Sequence, residues 1–387
     1  MSHKVKFYPV ENGDTTLITL SDKTTILTDC KLRVSAEDPD DDSKFDVKKD
    51  LLKSISYDNN NNPFIDVFIL SHADKDHCHG FEKHFYSGNP NEYSIENREK
   101  NEIIIGELWI TSMLFTLDQS DDANSVRKEA NRRIKMQDDN HIDKEKHGNA
   151  IRLIGYDSGN KFNNIKKYVP SNIVDTFNGK VKNNFSLFIH APFKDDLITC
   201  KAEQDRNSSS IVYQARFKIN TFSNEFDCRI MMGGDADHYI WEQILKKSEA
   251  NGNNAALKYN IFLAPHHCSW TFFNDVPYEA TESNKIPKDN SLKMLDYALT
   301  DAFIIASSRR IINEKPNPPH YSAQEEYKKK LSKKSNFLNT AVEPNKENPL
   351  PIEFIIEPTG PKRLLNDDTK ATALFGISQT GCKPWSE

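Results

Sequence analysis

The sequence predicts an α/β protein: a four-layer αββα sandwich in which two mixed sheets stack and helices cover the outer faces. Three observations lead there. The chain opens with short strand-like runs joined by turns. Apolar strands then alternate with helical stretches, and sheets of this kind must be covered by helices. Its 387 residues suffice for one large core.

The elements follow in order. Val5–Val10, Thr15–Leu20 and Thr24–Thr28 alternate or run apolar. Asn12-Gly13-Asp14 and Ser21-Asp22-Lys23 read as the turns of a meander, which Asp29-Cys30 closes. A charged loop spans Glu37–Lys49, and a short helix is expected near Val47–Ser54. Phe64–Leu70 is a strand, and the stretch from Gly80 to Tyr86 suits a helix. Ile103–Thr111 is a strand, and Asp121–Gln137 an amphipathic helix carrying Arg127, Lys128, Arg132, Arg133 and Lys135, expected to form a solvated face. Ile151–Gly155, Phe185–Ile189, Ser209–Ile219, Cys228–Met232, Ile261–Ala264, Ala302–Ala306 and Ile352–Ile356 are further strands. Tyr239–Lys246 and Ser322–Leu331 are helices, and Thr340–Pro351 is a surface loop. The reading is a single domain over 1–387, with an insertion at about 86–180 and a C-terminal extension from about 332.

The hydrophobic fraction is 37% and the mean hydropathy −0.70, both low for an enzyme. Polar runs such as Asp58–Asn62 and Asp138–Lys146 account for much of this and read as solvated loops. A net charge of −6 excludes a generally basic nucleic-acid coat protein. The cysteines at 30, 78, 200, 228, 268 and 382 form no Cys-x-x-Cys pair, which argues against a structural zinc knuckle. The first ten residues look like a strand rather than a signal peptide, and no apolar run approaches the ~20 residues that span a bilayer. A cytoplasmic protein with reduced thiols and no membrane association is expected.

Three constellations carry chemistry. Residues 71–80 read Ser-His-Ala-Asp-Lys-Asp-His-Cys-His-Gly, directly after an apolar strand. His72 and Asp74 alternate and can face one ion; Asp76 and His77 can serve a second. Met231-Met-Gly-Gly-Asp-Ala236 ends a strand in two glycines and presents Asp235, a carboxylate able to bridge two cations. Leu263-Ala-Pro-His-His-Cys-Ser269 again places histidines at a strand end. His266 is the expected metal ligand and His267 the residue facing substrate, or the two roles swap.

These pieces, with Asn207-Ser-Ser-Ser-Ile211 between them, occur in an order that resembles the metallo-β-lactamase-fold hydrolases, and most closely the soluble hydrolase domain of ComEC-type competence proteins. The resemblance covers roughly residues 4–330. It implies that Asp29 supports the metal loop and that Asp235 bridges. Three features depart from the pattern: Cys268 stands where a glycine usually follows the histidine pair, membrane spans are absent, and 86–180 has no counterpart in a minimal domain. The family's middle histidine is not evident; His190 is the candidate for it. Without it the first site is oxygen-rich, which shifts the preference toward manganese, with zinc the alternative.

His79 is a candidate for hydrogen bonding behind the ligands, and Cys78 and Cys268 read as small buried residues. Arg309 and Arg310 are candidates to hold a phosphate, and His320, after Pro318-Pro319, to protonate a leaving oxygen. The expected cofactors are two divalent ions, Zn²⁺ or Mn²⁺, with Asp76 also orienting the attacking water. The expected activity is that of a phosphodiesterase or nuclease acting on nucleic acid or another phosphodiester. The alternatives are hydrolysis of a small molecule (a nucleotide signal, ester or lactone) and a non-catalytic binding module.

Overall fold

A computed structural model describes residues 2–37, 44–116, 120–157, 161–203, 206–223, 225–275, 286–313 and 317–365. Residues 38–43 of the expected charged loop, Cys382 and the Cys200 side chain lie outside this description.

The αββα sandwich is present. In the first sheet, Gly360–Leu364, Ile352–Glu357, His3–Phe7, Thr16–Thr19 and Thr25–Thr28 run antiparallel to one another. From Thr25–Thr28 onward the pairing becomes parallel, through Pro63–Ile69, Ile104–Ile110, Ala150–Ile154 and Lys166–Tyr168. The second sheet repeats this plan. Ile173–Val174, Phe185–Ala191, Val212–Phe217 and Cys228–Met232 are antiparallel, and Tyr259–Leu263, Ala298–Ala306 and Phe337–Asn339 continue in parallel.

Alternation along each strand sorts its side chains. Val67, Ile69 and Trp109 of the first sheet meet Leu187, Tyr213, Ile230, Met232 and Leu263 of the second in the central core. Phe68, Leu108 and Leu153 point the other way, toward helices Val47–Ser54 and Asp121–Asp138. Met231, Phe262 and Ile304 do the same toward helices His238–Ala250, Asp289–Leu295 and Tyr321–Lys330. Full burial of one such aliphatic side chain contributes about 1.5–3 kcal/mol. The sandwich is therefore held by three apolar layers.

The helix Asp121–Asp138 corrects one expectation. Two of its arginines are structural rather than a solvated face. Arg133 is buried, pairs with Glu129 at 2.6 Å and donates to the carbonyls of Ile105 and Ala150 at 2.9 and 2.8 Å. Arg132 pairs with Glu129 and donates to Asn149 and Gly148.

Each sheet changes from antiparallel to parallel pairing at the strand whose carboxyl end carries an acidic residue: Thr25–Thr28 before Asp29, and Cys228–Met232 before Asp235. In open α/β sheets such switch points leave a crevice beyond the carboxyl ends of the strands. Thr28 Oγ1 and the Tyr213 hydroxyl, 2.6 Å apart, tie the sheets together just beneath it.

Candidate metal centre

Four loops meet at this rim, and backbone hydrogen bonds pin them together. The Ile211 N–H donates to Ser71 O at 2.9 Å, and the His266 N–H to Gly234 O at 3.1 Å. The Asp235 N–H donates to Ser210 Oγ at 3.1 Å. Gly234 adopts φ +48°, and a β-carbon there would come within 3.2 Å of both Ser210 and Ser71. Glycine is therefore favoured where these loops close on one another.

Asp235 is the centre of the cluster. Its Oδ1 lies 3.1 Å from His77 Nε2 and 3.7 Å from His267 Nε2. Its Oδ2 lies 3.6 Å from His72 Nε2 and 3.7 Å from His266 Nε2. Each carboxylate oxygen thus faces one pair of imidazoles. Asp74 Oδ2 is 3.7 Å from His72 Nε2, on the Oδ2 side; Asp76 Oδ2 is 3.1 Å from His267 Nε2, on the Oδ1 side. All six expected metal residues therefore converge, and both members of the histidine pair reach the same carboxylate. His72, His77, His267 and Asp235 are buried. Asp74, Asp76 and His266 keep side-chain exposures of 30%, 36% and 24%, so the cluster opens to solvent on their side.

A ring of further contacts aims the ligands. Asp29, at φ +57°, accepts from the Ser71 backbone N–H at 2.7 Å, from Ser71 Oγ at 2.6 Å and from His77 Nδ1 at 2.8 Å. It therefore holds the loop that begins at Ser71. A carboxylate on Nδ1 fixes the tautomer and leaves Nε2 free to bind a cation. Asp74 Oδ1 accepts from Arg206 at 3.0 Å. His267 Nδ1 is 3.0 Å from Ser307 O and 3.1 Å from the Gly13 N–H. His266 Nδ1 is 3.2 Å from Thr271 Oγ1.

The electrostatics are those of an anion surrounded by imidazoles. Burial disfavours the charged form of Asp235, yet His77, His267, His266 and His72 together hold its carboxyl well below the usual range. Burial likewise opposes ionisation of Asp76, but the hydrogen bond from His267 and the nearby His77 hold it low. His77 is raised well above an ordinary histidine: burial opposes the charge, and the carboxylates of Asp235 and Asp29 overcome it. His72 is lowered by burial and by His77.

The donor set fits divalent ions. His72 Nε2 is buried without a hydrogen-bond partner, and buried His77 Nε2 and Asp235 Oδ1 face chiefly each other, at 3.1 Å. An unsatisfied buried polar atom costs about 1–3 kcal/mol, so a buried imidazole nitrogen left open beside the Asp235 carboxylate calls for a partner. Two groups of ligand atoms, His72–His77–Asp235 and Asp76–His77–His267, each lie within 4.8 Å of one another. Imidazole with carboxylate is a donor set suited to a divalent metal.

Sequence reasoning missed Asp14. It sits in the Asn12-Gly13-Asp14 turn, is buried, and lies 3.8 Å from His267 Nδ1. Burial pushes its carboxyl up to about 6. It could hold a cation with Asp235 and His267. A turn motif gives no local sign of this, because the partner histidine lies far along the chain.

His190 is not in the cluster, which corrects the expectation for the middle histidine. It shares the outer face of its strand with Phe188, 4.8 Å away, and its Nε2 meets Ala256 O at 3.0 Å. A register shift between Ile189 and Ala191 marks this position. Burial lowers its pKa to about 3, so it is a neutral core residue.

The remaining candidates are packed around the site. His79 Nδ1 meets Asp122 at 3.2 Å and joins the loop to helix Asp121–Asp138. Cys78 donates to Asp74 O at 3.2 Å, and burial raises its thiol to about 12. Cys268 is buried at φ +67°, following His266 and His267 at +49° and +55°. Three consecutive left-handed residues are strained, each by about 1–2 kcal/mol, which accounts for the glycine that the resembled family usually has at the third. His320 Nδ1 accepts the Trp270 N–H at 2.8 Å, and its backbone N–H donates to Cys268 O at 3.0 Å. Its ring proton in the neutral form is therefore on Nε2. Arg309 is exposed and reaches Pro318 O at 3.3 Å; Arg310 is exposed as well.

The fold and site define a mixed α/β protein with a donor cluster suited to divalent metal. No protein-family model and no curated protein matches the chain. Among solved structures, it is similar to a possible metal-dependent hydrolase from Veillonella parvula DSM 2008, at 10% identity and a TM-score of 0.33, over 79% of this chain and 84% of that one. Among the described residues, no helix is long and apolar enough to cross a membrane.

Proposed function

We propose that this protein is a metal-dependent hydrolase with two cation sites sharing Asp235, and that its substrate is a phosphodiester. The observation that carries the reading is the division of Asp235 between two imidazole pairs, with the buried Nε2 of His72 left without a hydrogen-bond partner. His72, Asp74 and His266 would hold one ion, and Asp76, His77 and His267 the other. Two divalent ions, when bound, lower the pKa of a water and stabilise negative charge developing on the attacked centre.

The chain's own residues do the rest. Asp76, half-exposed at the mouth, orients the attacking water. Asp29 and Ser307 fix the rings of His77 and His267. His320, with its proton on Nε2, is the candidate donor to the leaving oxygen.

A second reading, hydrolysis of a small molecule, is favoured by one observation. A cleft of about 340 Å³, lined mainly by apolar side chains such as Met113, Phe115 and Leu197 but also by Asp157, Lys161 and Lys194, opens at the carboxyl ends of Ile104–Ile110 and Ala150–Ile154, on the same rim. It would suit an apolar leaving group.

The test is cleavage of single-stranded, double-stranded and circular DNA with Mn²⁺, Zn²⁺ or Mg²⁺, beside an Asp76→Ala, His77→Ala control. Metal-dependent cleavage that vanishes in the control is expected. Full-rate cleavage after EDTA treatment would contradict the metal mechanism. Hydrolysis confined to small esters would favour the second reading.

A further inference from the structure

Beside the candidate metal centre lies a groove of about 460 Å³, lined by Lys31, Arg33, Val34, Ser35, Lys75, Asp76 and His79. Asp76 belongs both to this groove and to the cluster, so the groove begins one side chain from the candidate reaction centre. Three of its seven lining residues are basic, in a chain whose net charge is −6.

One turn organises the cations. Asn12 accepts from the Lys31 amine through its backbone carbonyl and from the Arg309 N–H through its side chain at 3.0 Å; its amide donates to Pro318 O at 2.6 Å. Arg309 is therefore set beside Lys31, on the wall next to the groove. Gly13 makes the approach possible. At φ +145°, a β-carbon there would meet the Lys31 side chain at 2.4 Å and the Asp76 carbonyl at 2.6 Å.

The countercharges are few. Arg33 pairs with Glu11 at 2.9 Å, and His79 with Asp122 at 3.2 Å. Among the described residues, Lys75 and Arg309 have no ion pair with a carboxylate. A bound cation would offset the charge of Asp76. What remains is an arc of positive charge leading to the metal centre, with no aromatic residue among those lining the groove. Such a surface attracts a run of phosphates rather than a single neutral ester.

We infer that Lys31, Lys75 and Arg309 form a track for the phosphates that flank the scissile one, so that the substrate is a nucleic-acid strand. This rests on the phosphodiester reading and narrows it. Arginines bind such phosphates by paired charge-assisted hydrogen bonds, and lysines as point charges.

The experiment is a binding titration with a fluorescein-labelled, single-stranded phosphorothioate oligonucleotide across a salt series. Lys75→Glu and Arg309→Glu are the test variants, because both side chains are exposed and their loss spares the core. Lys53→Glu, on the exposed face of helix Val47–Ser54, is the charge-matched control. Each test variant is expected to weaken binding about tenfold and to flatten the salt dependence by about 0.7 for each phosphate no longer neutralised. Unchanged binding in both, or an equal loss in Lys53→Glu, would overturn the track. Metal-dependent hydrolysis of bis-p-nitrophenyl phosphate is measured in parallel. Hydrolysis without Lys75- and Arg309-dependent binding overturns the track and leaves the phosphodiester reading. Such binding without metal-dependent hydrolysis of bis-p-nitrophenyl phosphate or of an unmodified oligonucleotide overturns the reading and leaves the cations as a phosphate-binding surface.

Discussion

The imidazole of His77 is held by Asp29: Nδ1 lies 2.8 Å from a carboxylate oxygen, which turns Nε2 toward Asp235. Asp29 makes no direct contribution to the proposed ligand set, yet it sets the ring that does. The Asp29→Asn substitution keeps the left-handed backbone, which asparagine tolerates. It removes the negative partner of Nδ1. A loss of metal affinity of about 10–100-fold is expected, read by competition with a chelating dye. An unchanged affinity would show that Ser71, whose Oγ lies 3.3 Å from His77 Nδ1, suffices to orient the ring.

Metal should also stabilise the fold. Ions that bind only the folded chain add about 2.7 kcal/mol at a free concentration 100 times the Kd. EDTA is expected to lower the Tm of wild-type protein by several degrees, and Zn²⁺ or Mn²⁺ to restore it. A Tm indifferent to both would count against a formed site.

Arg133 should matter for stability and not for binding nucleic acid. Its guanidinium satisfies three backbone carbonyls and Glu129 inside the outer layer. Arg133→Met is expected to cost about 3 kcal/mol in urea unfolding, because carbonyls and a carboxylate lose a buried partner. Oligonucleotide affinity of the folded variant should match wild type. A selective loss of affinity would contradict a purely structural role.

His190 predicts a pH dependence. Its folded pKa is depressed to about 3 from an ordinary value near 6.5. Its contribution to stability is therefore present above pH 6.5 and is lost as pH falls through 3. Over that window the unfolded chain binds one more proton, a slope of about 1.4 kcal/mol per pH unit from this residue. His190→Gln keeps a donor for Ala256 O and removes the titration. Its stability should fall less steeply between pH 6 and 4 in chemical unfolding. Parallel curves for the two proteins would contradict the assignment.

Much of the fold and most of the site were legible in the chain. His72–His77, Asp235 and the histidine pair each follow an apolar strand at once, so local pattern alone puts them at strand ends. Both sheets then bring those ends to one rim. What was not legible depends on contacts remote in sequence. Asp14 looks like a turn residue until the fold buries it against His267. His190 sits at a strand end like the ligands do, but alternation turns it to the helix side with Phe188. Arg132 and Arg133 read as solvated because charge dominates composition, whereas carbonyls of the neighbouring strands draw Arg133 inward. Lys166–Tyr168 and Phe337–Asn339 are too short to show an alternation and exist through their parallel partners.

The division of Asp235 between two imidazole pairs is the centre of the account, and bound metal is its most direct measure. Wild-type protein and Asp235→Ala would be loaded with Zn²⁺ or Mn²⁺, desalted, and analysed for metal per chain. Two ions per wild-type chain, falling to one or none in the variant, is the expected result. Wild-type protein that retains no divalent ion, or a variant that retains both, would contradict it.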